Sequence, residues 1–208
     1  MIPAAKCGVL STMKQHGFSP LGWIGFALAL SACGPAEITD PKMMITVDRS
    51  MYPSGPYGLA EADIIENLSF KNPDDTDFFL NAIFADEKNK LLLVSTSSGW
   101  CTSCIEEQAK LEARHQSWGP KGLYILLTSF EDGLFRAATP DYAGEWKERY
   151  NLSYTVVADA PFVFQAYYDR TLTPMVMLID VETMSILRIM TGFDESVVDA
   201  IIEAKLGG

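Results

Sequence analysis

Two cysteines, Cys101 and Cys104, lie three residues apart at the point where a buried-strand pattern gives way to a helical one. Residues 90–97 have the length of a buried strand and include the apolar run LLLV, and positions 104, 108, 111, 115 and 118 follow one another in steps of three or four, as on one face of a helix. The first turn of a helix has backbone N–H groups without partners inside the helix. The cysteine pair can bind a metal, close a structural disulfide or exchange disulfides.

The remaining patterns alternate between strands and helices. Strands are predicted over 64–70, 122–130, 154–159, 174–180 and 185–192, helices over 139–152, 161–168 and from Asp194 onwards, and residues 77–84 fit either. Alternating elements of this kind predict an α/β fold, with a central mixed β-sheet flanked by helices on both faces.

Two of the three uses of the cysteines are disfavoured, one by the number of cysteines and the other by their spacing. A structural zinc site takes four ligands, usually from two such pairs, and the sequence has no second pair. A disulfide between residues three apart closes a very small loop, so it removes little entropy from the unfolded chain. We therefore predict that no metal is bound and that the pair exchanges disulfides.

The position of each cysteine predicts a division of labour. The thiolate is the nucleophile in disulfide exchange, and the N-terminus of a helix favours a negative charge. Cys101 would lie at that end and attack, whereas Cys104, one turn further on, would lie deeper and resolve the mixed disulfide. Trp100 would shield one side of the pair and offer an apolar surface to a substrate.

The N-terminus predicts a signal peptide over residues 1–32. Residues 21–30 are apolar apart from glycine, a run too short to span a bilayer comfortably but typical of a signal-peptide core. The run ends in the sequence LSAC, which resembles the bacterial lipobox and implies cleavage before Cys33 and lipid attachment to it. An ordinary secretory peptide or an uncleaved anchor are the alternatives.

Two further segments complete the predicted organisation. Residues 33–59, rich in proline and glycine and without a sustained period, are interpreted as the lipid-attachment site and a tether, and 60–208 as the folded domain. The net charge of −11 disfavours nucleic acid, whose phosphates need a basic surface. It also disfavours direct binding to anionic lipid, so the lipid on Cys33 would be the membrane attachment.

Two motifs resemble the thioredoxin superfamily. The sequence GWCTSC at 99–104 resembles its active site, and TLTPMVMLID at 171–180 resembles its cis-proline loop and the strand that follows. With the membrane tether, the chain is most similar to the TlpA/ResA-like thiol-disulfide oxidoreductases of the bacterial envelope. The resemblance implies a thioredoxin-like fold with an N-terminal extension, a cis Pro174 beside the cysteines, and a Thr173 backbone that binds an extended substrate.

The resemblance also implies the function. A redox-active Cys101–Cys104 disulfide would act without another cofactor, on envelope proteins with thiols or disulfides, and would exchange electrons with a membrane donor or acceptor. The protein would be lipid-anchored and face the periplasm. A non-catalytic binding or assembly module with the same fold is the alternative.

The sequence departs from the family where thioredoxins carry a buried acid, six residues before the first cysteine. Ser95 stands there instead. Glu107 matches an acid common in the WCxxCxxE pattern of the envelope subgroup, and it is a candidate for proton transfer if it turns inward. The dipeptide between the cysteines, Thr102-Ser103, matches neither the Gly-Pro of thioredoxin nor the Pro-His of strong oxidants. It therefore does not predict the direction of electron flow.

Overall fold

The computed structural model describes residues 47–207, so the predicted leader and Cys33 lie outside the described residues. The strands are β1 (Ser69–Lys71), β2 (Asp77–Phe79), β3 (Leu91–Ser98), β4 (Leu123–Glu131), β5 (Thr155–Ala158), β6 (Met175–Asp180) and β7 (Ser185–Thr191). The α-helices of this range are α1 (Leu80–Ala85), α2 (Thr102–Trp118), α3 (Pro140–Arg149) and α4 (Glu195–Leu206). Short 3-10 turns occupy Gly119–Lys121, Val163–Ala166 and Arg170–Leu172.

The seven strands form one mixed sheet in the order β2-β1-β5-β4-β3-β6-β7. The central strand β3 pairs parallel with β4 and antiparallel with β6, and all of its residues are buried. Burial on both faces explains why its first four residues, 91–94, are all apolar rather than alternating with polar ones. The predicted α/β fold with a central mixed sheet flanked by helices is therefore confirmed.

The two faces of the sheet are covered differently. Leu91 and Leu93 of β3 lie in the apolar cluster that also contains the buried side chains of α2, α3 and α4. Leu92 and Val94 point to the opposite face, where the short helix α1 and the turn Val163–Ala166 supply the covering side chains. The three long helices thus pack on one face, which fixes α2 and its cysteines against the ends of β3 and β4.

Two predicted elements are shorter than expected. The sequence predicts a helix over 161–168, but only a 3-10 turn forms, because Phe162 has a left-handed backbone (φ 56°) and the carboxylate of Asp159 binds the N–H of Val163 at 2.8 Å. The sequence also predicts a strand over 64–70, but only its last part pairs within β1. The ambiguous segment 77–84 contains both a strand and a helix, β2 and the start of α1.

Part of the predicted tether contacts the domain. The guanidinium of Arg49 donates to the carbonyl oxygens of Phe84, Asp86 and Asn89, at 2.9 to 3.3 Å. The Tyr52 hydroxyl donates to a backbone carbonyl of the following segment at 3.0 Å. The described end of the segment therefore packs against α1 and the loop that follows it, and the boundary at residue 59 stays a prediction. Within residues 47–207, none of the helices has the length and apolar character needed to cross a bilayer.

Candidate active site

Cys101 and Cys104 form a disulfide at the junction of β3 and α2, with Cα atoms 5.3 Å apart. Cys101 is the N-cap of α2, and its Sγ accepts a hydrogen bond from the N–H of Cys104 at 3.1 Å. Cys101 is 5% exposed and Cys104 is fully buried. The sulfur nearer to solvent is therefore also the one that the helix N-terminus stabilises as an anion after reduction.

The predicted proline loop lies directly beside this disulfide. The Thr173–Pro174 peptide bond is cis, as the resemblance implies, and the Thr173 carbonyl oxygen is 3.9 Å from Sγ of Cys101. The loop is fixed on both sides: the Thr96 hydroxyl accepts from the N–H of Met175 at 2.9 Å, and the N–H of Gly192 donates to the Pro174 carbonyl at 2.7 Å. Gly192 has φ 75°, a conformation that favours glycine.

Glu107 turns inward, one helical turn after Cys104 and on the same helical face. The residue is 2% exposed, and its Oε1 accepts a hydrogen bond from the Ser95 hydroxyl. Its Oε2 has no hydrogen-bond partner among the described residues. Burial raises the pKa of this carboxyl to about 7, against the smaller lowering effect of the Ser95 hydrogen bond. The side chain can therefore take up or release a proton near neutral pH.

Ser95 is thus a partner of the buried acid. The strand position that carries an acid in thioredoxins supplies a hydroxyl in this chain, and the helix supplies the carboxyl. The helical period of α2 places Glu107 on the face of Cys104, but the sequence does not say that a glutamate will be buried there. In its buried position one carboxyl oxygen accepts a hydrogen bond from the hydroxyl that β3 presents to it.

Trp100 lies at the mouth of the site. Its indole Nε1 donates to Oε2 of Glu131 at 2.9 Å, and its ring stacks on Phe135 with centroids 5.5 Å apart. The other oxygen of Glu131 accepts from Arg170 at 2.7 Å. Sequence reasoning missed Glu131 and Arg170, because neither belongs to a motif. The sequence feature that could have indicated Glu131 is its position just after the predicted strand 122–130, which is the next strand after the one that leads into the cysteines.

The structure therefore places the three residues predicted near the thiols, Trp100, Thr173 and Pro174, beside Cys101 and Cys104. Glu107 joins them through its place on α2. In the part of the chain that the structure describes, no group of three or more His, Cys, Asp or Glu side chains is arranged to hold a metal ion. The lipid-attachment residue, Cys33, lies outside the described residues.

Sequence comparison finds no matching family model and no matching curated protein. Structural comparison finds many similar folds. A Chlorobium tepidum protein assigned as the thiol:disulfide interchange protein DsbE is 16% identical with a TM-score of 0.59, and the match covers 72% of this chain and 100% of that one. A thiol:disulfide interchange protein from Bacteroides sp. is 18% identical with a TM-score of 0.57, covering 72% and 92%.

A third structure is a secreted Mycobacterium tuberculosis disulfide oxidoreductase described as homologous to E. coli DsbE. It is 15% identical with a TM-score of 0.51, and the match covers 66% of this chain and 96% of that one. At such low identity the similarity concerns the fold. The chain therefore has a thioredoxin-like fold, of the type found in DsbE-like thiol:disulfide interchange proteins.

Proposed function

We propose that this protein is a thiol-disulfide oxidoreductase that exchanges disulfides with other proteins through Cys101 and Cys104. The observation that carries the proposal is the position of the disulfide. Cys101 caps the N-terminus of α2, its Sγ is 3.9 Å from the carbonyl oxygen of Thr173, and Glu107 lies buried one turn beyond Cys104. A structural disulfide needs neither the helix N-terminus nor a carboxyl that titrates near neutral pH.

In the reducing direction, the reaction begins with both cysteines reduced. The Cys101 thiolate attacks one sulfur of the substrate disulfide, a mixed disulfide forms, and the other substrate sulfur leaves as a thiolate. Cys104 passes its proton to Glu107 and attacks Sγ of Cys101. The mixed disulfide breaks, the substrate leaves with two electrons, and the Cys101–Cys104 disulfide forms. The reverse sequence oxidises a substrate dithiol.

The proline loop supports the binding of an extended substrate. Thr173 has an extended backbone (φ −72°, ψ 147°), so a substrate segment can add to it as a short strand. This position would hold the substrate sulfur next to Cys101, while Trp100 offers an apolar surface on the other side.

The same proposal includes an envelope location. A lipid on Cys33 would hold the protein at a membrane with the domain facing the periplasm, where proteins form disulfides. The partners would be envelope proteins with thiols or disulfides and a membrane electron donor or acceptor. The support is the LSAC sequence after the apolar leader.

Reduction of insulin by dithiothreitol tests the redox activity. We expect the purified protein to accelerate insulin reduction, and the reduction potential of the Cys101–Cys104 pair to set the direction of its physiological reaction. A potential near about −270 mV is typical of a reductant, and one near about −120 mV of an oxidant. A protein whose disulfide can be reduced but which does not accelerate the reaction would instead be a binding module of the same fold.

Replacement of Cys33 tests the anchor. We expect Cys33→Ser to move the protein from the membrane fraction to the soluble envelope fraction, because the lipid chains would be its membrane attachment. Cell fractionation followed by immunoblotting measures the change. Cys7→Ser, in the predicted leader, is the matched control and should leave the protein in the membrane fraction. A Cys33→Ser protein that stays with the membranes would contradict the lipobox interpretation.

A further inference from the structure

Glu131 contacts both segments that border the reactive disulfide. It ends β4, opposite the irregularity in β3 where the register shifts between Ser97 and Ser98. Its backbone carbonyl accepts from the N–H of Gly99 at 2.9 Å. Its carboxylate accepts from Trp100 Nε1 at 2.9 Å through one oxygen and from the Arg170 guanidinium at 2.7 Å through the other.

These contacts join two loops that are far apart in the sequence. Trp100 precedes Cys101 directly, and Arg170 begins the turn Arg170–Leu172, which leads into Thr173. The Glu131 side chain is 11% exposed, whereas that of Arg170 is 52% exposed. A carboxylate so nearly buried needs strong donors, and each of its oxygens has one. Loss of this carboxylate would therefore release both loops together.

The indole that Glu131 orients belongs to an apolar surface. Trp100 stacks on Phe135, which is 66% exposed, and Leu172 on the opposite loop is 52% exposed. Phe135 has a left-handed backbone (φ 61°), which is unfavourable for a bulky side chain. The carboxylate of Asp132 holds this loop by accepting from two of its N–H groups, at 2.8 and 3.0 Å.

The positions of the two loops held by Glu131 bear on the proposed disulfide exchange. A small disulfide or dithiol is too short to contact the indole and the turn together while it reacts at Sγ of Cys101. A polypeptide must instead lie along Thr173 and place the side chains next to its cysteine against the neighbouring surface. A fixed distance between the two loops therefore matters for a polypeptide and much less for a small reagent.

We propose that Glu131 is a positioning residue that makes the site selective for polypeptides. Through Trp100 and Arg170 it keeps the two loops in place, so that a cysteine-bearing segment with a large apolar side chain next to its cysteine can bind between them. The inference rests on the proposed oxidoreductase function and adds to it the kind of polypeptide segment that binds and the residue that shapes the binding surface.

The test compares two reactions of each variant: reduction of its disulfide by dithiothreitol, and reduction of insulin by its dithiol form. The variants are Glu131→Gln, Glu131→Ala, Arg170→Ala and the double variant Glu131→Ala with Arg170→Ala. Glu203→Gln is the control, because it removes an exposed acid of α4 away from the site. The ratio of the insulin rate to the dithiothreitol rate is the readout, since a general loss of folded protein lowers both rates.

We expect Glu131→Ala and Arg170→Ala each to lower this ratio, by about tenfold for Glu131→Ala because it removes two hydrogen bonds of a charged group. The effect should lie mainly in KM for insulin. Glu131→Gln keeps the shape of the side chain but not its charge. Its ratio of the two rates should therefore lie between that of wild type and that of Glu131→Ala. The double variant should lose little more than Glu131→Ala alone, because both changes remove the same contact.

An unchanged ratio in Glu131→Ala, an equal fall of both rates, or additive losses in the double variant would overturn the inference while the oxidoreductase function stands. A wild-type protein that reacts with dithiothreitol but not with insulin would instead overturn the proposed function itself, and this inference with it.

Discussion

Replacing Cys101 with serine is expected to lower the rate of insulin reduction by on the order of a thousandfold or more, to the uncatalysed level. A hydroxyl does not attack a disulfide sulfur, and Cys104 is fully buried, so it cannot replace Cys101 as the attacking group. The assay compares wild type with Cys101→Ser, and a matched Ser103→Ala variant controls for a change elsewhere in the exposed first turn of α2. Substantial activity in Cys101→Ser would show that Cys101 is not the nucleophile.

Cys104→Ser should behave differently. Cys101 can still attack, but the mixed disulfide with the substrate cannot be resolved, so the complex accumulates. Non-reducing electrophoresis and mass spectrometry of the trapped complex would identify the partner protein. Trapping by Cys101→Ser but not by Cys104→Ser would mean that the attacking and resolving roles are reversed.

Replacing Glu107 with glutamine is expected to slow the resolving step by about a hundredfold at neutral pH, the lower range for a general base. In the proposed mechanism the carboxylate of Glu107 accepts the proton of Cys104. Because burial raises the pKa of Glu107 to about 7, its base form is lost as the pH falls below that value. Single-turnover rates against pH should therefore decline below about pH 7 in wild type, and Glu107→Gln should lack this decline.

The Glu107→Gln variant also tests a second prediction, which concerns the stability of the folded protein. Burial raises the pKa of Glu107 from its ordinary value of 4.5 to about 7, so the folded protein holds this proton more tightly than the unfolded chain does. The contribution of the protonated carboxyl to stability is complete below pH 4.5 and is lost as the pH rises through about 7. At pH 8, Glu107→Gln should be the more stable protein, by about 3 kcal/mol.

The measurement is denaturant unfolding of the oxidised proteins at several pH values. Asp159 is a second buried carboxyl whose pKa burial raises to about 7, and it gives both proteins a pH dependence of the same sign. The difference between the two proteins cancels this contribution. A difference in the free energy of unfolding that is constant between pH 4 and pH 8 would contradict the assignment of a buried, titrating Glu107.

The elements that carry the cysteines could be predicted because they depend on local patterns. The apolar run of β3 and the three- and four-residue steps of α2 indicate a buried strand followed by a helix, and the structure places both within a residue or two of the prediction. The cis-proline loop was predictable from its resemblance to a known motif. The lipid anchor was also a prediction from sequence, and it stays one, because Cys33 lies outside the described residues.

The surroundings of the thiols were decided by the tertiary structure. The sequence places Glu107 on the face of Cys104, but the hydrogen bond that it accepts in its buried position comes from Ser95 in β3, twelve residues away. Similarly, the sequence predicts a helix over 161–168, but the carboxylate of Asp159 binds the backbone and a turn forms instead. Local periodicity contains no information about which polar group a neighbouring element will present.

The contacts of Glu131 show most clearly that the tertiary structure decides the surroundings of the thiols. Its carboxylate meets Trp100 across 31 residues of sequence and Arg170 across 39. The sequence by itself determined the strand, the helix and the two thiols, since hydrophobic period and residue spacing act within one element. Only the tertiary structure decided which carboxylates face the site, because the pairing of β3 with β4 and β6 sets which loop ends meet at the edge of the sheet.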